Sequence, residues 1–173
     1  MNKLTIMAVV VIALALLLAG GCAPQEEQLA WEKITSEPES FYEETLPTVR
    51  VVATPEQASE LEEFLQLPAS LSLVSCIDFD TYLVTAVFQG KKPTTGYSVD
   101  VIDVRLDGNV ITIYARFLTP VTPTPGQIVG VGPMITSPYY VLKVRKTPDL
   151  RGEFTFVLNA NGEEVMRTAH FIP

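Results

Sequence analysis

Apolar and polar residues follow a period of two along most of the chain. Six stretches alternate in this way or are almost entirely apolar: 82–89, 97–105, 110–118, 139–145, 153–158 and 164–169. Residues 48–53 (TVRVVA) have the same character. Because successive side chains of a β-strand point to opposite faces, this pattern predicts strands. We therefore expect seven strands.

One stretch has a helical period instead. Its apolar residues recur at spacings of three and four: Ala58, Leu61, Phe64 and Leu65. Thr54 precedes this stretch as an N-cap, and Pro55 is tolerated at the first helical position, where an N–H group would have no intrahelical partner. The pattern predicts a helix over residues 55–66 that turns its glutamates, including Glu62, towards water.

Tight-turn signals join two pairs of neighbouring strands. Asp107-Gly108 and Asn161-Gly162 are typical of β-hairpins. Helices and strands do not alternate, so a parallel β-α-β arrangement is not predicted. We expect an α+β fold: a mostly antiparallel sheet of about seven strands with one helix.

The N-terminal residues have a different pattern. Lys3 precedes an unbroken apolar run at residues 6–19. This arrangement is typical of a secretory signal, and the run is shorter than the roughly 20 residues of a membrane-spanning helix. Residues 18–22 (LAGGC) resemble the bacterial lipobox, which implies cleavage after Gly21 and lipidation of Cys22. An uncleaved N-terminal anchor is the alternative.

The region after Cys22 is rich in glutamate and proline. We expect a signal peptide at residues 1–21, an acidic tether at 22–30 that is flexible to about Leu29, and a domain at 31–173. Two or three acyl chains would hold the exported protein stably on the outer face of a bacterial membrane.

Charge and cysteine content exclude several classes of protein. The net charge of −8 does not provide the basic surface that nucleic acids require. The second cysteine, Cys76, has no intramolecular partner once Cys22 is lipidated, so neither a disulfide framework nor a zinc cluster is predicted. We expect Cys76 to pack as a small apolar residue.

Candidate catalytic residues are few. His170 is the single histidine and lies near the C-terminus, and a Ser-His or Cys-His site would need it. No nucleophile motif surrounds Ser137 or Cys76. We predict no catalytic residue, metal or cofactor. An enzyme remains an alternative, which His170 or a carboxylate converging with other polar groups in a cleft would favour.

Two loops before strands are candidate binding sites. The first, at 91–97, contains Thr94, Thr95, Gly96 and Tyr97, and the second, at 134–140, contains Thr136, Pro138 and Tyr139. Either these residues form tight strand-entry loops whose tyrosines close the core, or the loop tips bind a ligand or partner. We expect the two tyrosine rings to lie within reach of each other or of the opposite loop.

Both loops carry a resemblance to a known family. Gly90 and residues 92–99 (KPTTGYSV) resemble the Lys-Pro-Thr-Gly-Gly-Tyr signature of the PrcB C-terminal domain family. Residues 136–144 (TSPYYVLKV) resemble its second motif, and the similarity extends over roughly residues 31–146. Thr95 stands where the family has the first glycine of a pair.

The resemblance implies an accessory protein. The family takes its name from a lipoprotein subunit of a surface protease complex, in which a separate chain is catalytic. By this resemblance the protein binds or stabilises an envelope protein, such as a protease, and is not itself an enzyme. A module that binds a small molecule or peptide by itself is the other alternative.

Overall fold

The computed structural model describes residues 26–65, 73–120 and 132–173. Cys22 and the signal peptide lie outside these residues. Nine strands and one helix form within them. In chain order they are β1 (Glu27–Gln28), β2 (Trp31–Glu37), β3 (Thr48–Val52), α1 (Pro55–Phe64), β4 (Tyr82–Phe88), β5 (Ser98–Asp107), β6 (Val110–Leu118), β7 (Tyr139–Arg145), β8 (Gly152–Ala160) and β9 (Glu163–Ile172).

The strands of the described residues form two sheets. The five-stranded sheet has the order β1-β5-β6-β8-β9, and the four-stranded sheet has the order β2-β7-β4-β3. All neighbours are antiparallel except β6 and β8, which are parallel. The α+β class with a mostly antiparallel sheet and one helix is confirmed. The strand number is not, because β1 and β2 add to the seven predicted strands.

The two sheets pack face to face, and α1 covers the outer face of the four-stranded sheet. Apolar side chains between the sheets form the larger core, which includes Leu83, Val87, Val104, Ile113, Leu142 and Phe156. A second core between α1 and the four-stranded sheet includes Ala58, Leu61, Val84 and Phe88. Strands β4 and β7 are therefore buried on both faces, which explains their nearly continuous apolar sequences.

Local signals set the helix start and the turns as predicted. Thr54 Oγ1 accepts a hydrogen bond from the Gln57 N–H at 3.4 Å. Asn161 and Gly162 both have positive φ angles, +55° and +91°, as a two-residue hairpin turn requires. Helix α1 ends at Phe64, two residues before the predicted end.

The chain is tied to the domain earlier than Leu29, where the flexible leader was expected to end. Gln28 Nε2 donates to Asp103 Oδ1 at 2.9 Å, and the Leu29 N–H donates to the Val104 carbonyl at 2.9 Å. Burial raises the pKa of Asp103, but hydrogen bonds from Arg105, Gln28 and the Val104 N–H outweigh burial and leave this pKa below its usual value. Residues 26–29 join the sheet because β5 offers them a free edge and a buried carboxylate.

Two further expectations are wrong. Cys76 is exposed rather than packed, because Val74 and Ile77 of the same turn pack on the second core and Cys76 between them does not. Glu62 does not face open water, because its carboxylate accepts hydrogen bonds from the Val74 and Ser75 N–H groups at 2.6 and 3.0 Å. Within the described ranges, no helix has the length and apolar character to cross a membrane.

Candidate functional site

The two candidate loops meet at one end of the sandwich. Strand β4 ends where β7 begins, because the two strands are antiparallel and Phe88 pairs with Tyr139. Lys92 and Thr136 then form an isolated antiparallel bridge with N–O distances of 2.8 and 3.0 Å. The two loops therefore lie side by side.

The threonines of both motifs cross-link the loops. Thr136 Oγ1 donates to the Thr94 carbonyl at 3.0 Å. The Thr95 N–H donates to the Gly132 carbonyl at 3.2 Å, and Thr95 Oγ1 accepts from the Gly132 N–H at 2.8 Å. The Thr95 hydroxyl therefore accepts a hydrogen bond that a glycine at this position could not form. In this structure the threonines support the loops.

Residues 38–46, which we call the cover segment, lie across the second loop. The Ser137 N–H donates to the Pro38 carbonyl at 3.0 Å, and Ser137 Oγ donates to the Tyr42 carbonyl at 2.7 Å. Ser40 Oγ donates to the Ser137 carbonyl at 3.1 Å. All three bonds occupy Ser137, which is consequently engaged as a structural residue and buried.

The cover segment also closes over the start of the first loop. Gly90 has a φ of +86°, and a Cβ atom built on it would lie 2.3 Å from the Thr45 carbonyl oxygen. The next N–H, of Lys91, donates to the Glu44 carbonyl at 2.8 Å, and Lys91 Nζ pairs with Glu43 at 2.8 Å. Gly90 is thus required by a close approach of two main chains.

The two tyrosines have different surroundings. Tyr139 is 1% exposed and its ring centroid lies 6.1 Å from that of Phe88. Burial, with a smaller effect of Glu37, raises its pKa to about 12. Tyr97 is half-buried, and Lys92 Nζ lies 5.9 Å from its ring centroid. The two rings do not form an aromatic pair within the described structure.

The remaining motif residues shape the ends of the strands. The Pro138 carbonyl accepts a hydrogen bond from the Gln89 N–H at 3.0 Å and so extends the β4–β7 ladder. Gly96 has a φ of +92°, and a Cβ atom there would lie 3.2 Å from the Pro120 side chain. Both positions are explained by main-chain geometry.

The cover segment and the second loop both carry exposed apolar side chains. Phe41 and Leu46 on the cover segment are 55% and 74% exposed, and Met134 and Ile135 on the second loop are 50% and 63% exposed. We call these four residues the loop-end patch. Glu39, Glu43 and Glu44 are exposed around it. Sequence reasoning missed the patch, although apolar residues in a glutamate-rich segment were a usable signal.

The single histidine lies elsewhere. His170 lines a cavity of about 290 Å³ together with residues of β3 and α1, including Arg50, Gln57 and Glu60. Its ring packs edge-on against Phe156 at 6.2 Å, and burial lowers its pKa. Neither Ser137 nor Cys76 lines this cavity. Among the described residues no group of histidine, cysteine or carboxylate side chains is arranged to hold a metal ion.

The geometry defines a β-sandwich domain whose motif residues bind its own cover segment and present an apolar patch beside it. Comparison with protein families identifies the motif region: the family model described as PrcB C-terminal matches residues 83–145. This confirms the resemblance and includes both loops, but the match is narrower than the expected residues 31–146. No curated protein and no solved structure matches the chain.

Proposed function

We propose that this protein is a non-catalytic accessory lipoprotein of the bacterial cell envelope. It binds and stabilises an extracytoplasmic partner protein, such as the catalytic chain of a protease complex. The match to the PrcB C-terminal family supports an accessory role associated with such complexes. The LAGGC sequence at residues 18–22 supports lipid anchoring at Cys22.

The loop-end patch is the observation that carries this proposal. Four large apolar side chains are exposed on segments that hydrogen bonds hold in place. Apolar patches on protein surfaces are typical of interaction sites. Cross-linked loops lose little conformational freedom when a partner docks, so more of the apolar contact energy remains for binding.

The glutamates around the patch, which form an acidic rim, indicate the charge of the partner surface. Glu39 and Glu44 are exposed beside the patch, and Glu43 forms an ion pair only with the partly exposed Lys91. A surface with an apolar centre and a basic rim is complementary to this arrangement. We therefore propose a protein partner with that combination.

Photo-crosslinking in intact cells tests the docking surface. A photoreactive amino acid replaces Ile135 in one variant and Ile102 in a matched control. Ile102 is also exposed but lies on the outer face of the five-stranded sheet. We expect a discrete crosslinked partner from position 135 and none of that mass from position 102. Equal crosslinking from both positions would contradict the proposal.

Loss of binding provides the second measurement. Met134→Ser with Ile135→Ser should weaken co-purification of that partner by about tenfold or more, since two apolar contacts are lost. Ile102→Ser should leave it unchanged. Both proteins should keep the wild-type melting temperature, because all three side chains are exposed.

Metabolic labelling with a fatty-acid probe tests the anchor separately. We expect the wild-type protein to be labelled and Cys22→Ser to remain an unlabelled precursor. Labelling of the Cys22→Ser protein would show that the lipobox interpretation is wrong, whatever the outcome at the patch.

A further inference from the structure

On one lateral side of the sandwich, which we call the open side, no main-chain hydrogen bond joins the two sheets within the described residues. On the opposite side the chain crosses between the sheets at Leu29 and Ala30: the Leu29 N–H donates to Val104 of the five-stranded sheet, and the Ala30 carbonyl accepts from Arg145 of the four-stranded sheet. On the open side β3 and β9 are the outer strands of the two sheets. Both line the cavity of about 290 Å³ that contains His170.

The hydrogen-bond register shows which groups of β3 face this cavity. The Gln89 N–H donates to Pro138 across the β4–β7 ladder, so alternate residues of β4, including Val87 and Thr85, point their main-chain groups towards β7. The residues between them point towards β3. Arg50, which pairs with Ala86, therefore bonds to β4, whereas Val49 and Val51 point their N–H and C=O groups away from it.

These four main-chain groups of Val49 and Val51 have no hydrogen-bond partner among the described residues. The two residues are nevertheless only 5% and 9% exposed. The next outward N–H, of Ala53, is satisfied by Gln57 Oε1 at 2.9 Å. Buried main-chain groups are almost always paired, so Val49 and Val51 mark an incomplete ladder.

The edge of β9 that faces β3 also has outward-pointing main-chain N–H and C=O groups. The Thr155 N–H donates to the Asn109 carbonyl, so the main-chain groups of Phe154 and Phe156 point towards β9. Their partners His170 and Thr168 bond to β8. Ala169, between them, consequently directs its N–H and C=O groups outward, and it lines the same cavity.

We infer that this open side binds an extended segment of a partner polypeptide, which adds as a strand to the edge of β3. A strand presents an N–H and a C=O group at every second residue, which is the spacing of Val49 and Val51. This surface is formed by β3, α1 and β9 and does not include the loop-end patch. The inference therefore does not depend on the proposed docking at that patch.

The walls of the cavity indicate the composition of the segment. One face of an added strand would continue the side of Val49 and Val51, which contribute to the apolar core between the sheets. The other face would lie beside Glu60, which lines the cavity and forms no ion pair among the described residues. Arg50, on the same face, is already engaged with the Phe64 ring at 3.7 Å. The segment therefore alternates apolar and basic residues.

A tethered probe tests this inference at high effective concentration. The full chain carries the sequence Lys-Val-Lys-Val-Lys-Val on a flexible glycine-serine linker after Pro173. The matched control has proline in place of each valine of the probe, which removes alternate N–H groups while the basic residues remain. Hydrogen exchange then reports on the individual amides of β3.

We expect the valine probe to slow exchange of the Val49 and Val51 amides by about tenfold or more relative to the proline control, as a new hydrogen bond does. Glu60→Lys should reduce this protection, whereas Glu63→Lys, on the same helix but outside the cavity, should not. Equal exchange with both probes would overturn the inference. So would protection in the chain without a probe that depends on protein concentration, because the occupant would then be a second copy.

Discussion

At the scale of single residues, Tyr97 and Tyr139 differ although each stands where a loop becomes a strand. Tyr139 is enclosed by the second core, and Tyr97 is half-buried beside Lys92. We predict that Tyr139→Ala lowers the free energy of unfolding by about 3–5 kcal/mol, as truncation of a core aromatic does. For Tyr97→Ala we predict a smaller loss of about 1 kcal/mol, because its ring is only half-buried.

Urea denaturation of both variants measures the difference. Tyr139→Phe is the matched control, because it keeps the ring that packs on Phe88 and should cost about 1 kcal/mol or less. If Tyr97→Ala proved as destabilising as Tyr139→Ala, Tyr97 would support the core as much as Tyr139 does, which would contradict this prediction.

His170 should make stability depend on pH. Burial lowers its pKa in the folded protein, so the unfolded chain binds the proton at higher pH. The neutral, partly buried imidazole therefore contributes its full stability above the pKa of histidine in the unfolded chain, about 6.5. This contribution is lost as the pH falls through and below that pKa. We predict that the melting temperature falls between about pH 7.5 and pH 5 and that His170→Gln reduces this slope. An identical slope in both proteins would exclude His170 as the cause.

At the scale of elements, Gly90 sets the contact between the cover segment and the first loop. Gly90→Ala combines a strained φ of +86° with a Cβ placed 2.3 Å from a main-chain oxygen. We predict a loss of about 2 kcal/mol or more and faster hydrogen exchange at the Lys91 amide, whose acceptor is Glu44.

Gly108→Ala is the matched control for that prediction. Gly108 has a φ of +58°, but no atom lies within 4 Å of the added Cβ. It should cost only the strain of the turn, about 1 kcal/mol, and leave Lys91 exchange unchanged. Equal losses in the two variants would mean that the cover segment yields to the added methyl group.

At the scale of the whole molecule, the strands relate the proposed anchor to the loop-end patch. Glu26 pairs with Arg105 near one end of β5, and the candidate loops lie at the other end, about 23 Å away along the strand from Arg105 to Ser98. Four residue steps from Cys22 to Glu26 span at most about 15 Å. A lipid on Cys22 would therefore hold the Glu26 end at the membrane and direct the patch away from it.

Fluorescence quenching from lipid headgroups tests this orientation. Labels are placed at Asn109→Cys, in the turn beside the Glu26 end, and at Ile135→Cys, both in a Cys76→Ser background because Cys76 is exposed. We predict stronger quenching at position 109 in vesicles that carry the lipidated protein. Stronger quenching at position 135 would place the patch against the membrane instead.

Local periodicity was sufficient to predict seven strands, the helix at Pro55 and both hairpin turns. Alternation, capping and turn residues act over a few neighbouring positions, so they can be read from the sequence. The motif at residues 92–99 was also recognisable, because its glycine and threonines have fixed places in the loop. A binding loop and a structural loop can both need these residues at these places, so the sequence left open whether the motif binds a ligand or supports the fold.

Only the tertiary structure decided the features that depend on distant partners. Strand β1 forms because β5 offers a free edge. Strands β6 and β8 pair in parallel although 33 residues separate them in the sequence. The two loops are hydrogen-bonded to the cover segment, which lies far from the second loop in the sequence. The incomplete ladder at Val49 and Val51 appears only when two sheets leave one side open. Hydrogen bonds between segments far apart in sequence leave no local pattern, and they determine which edges of this protein are closed and which remain free to bind.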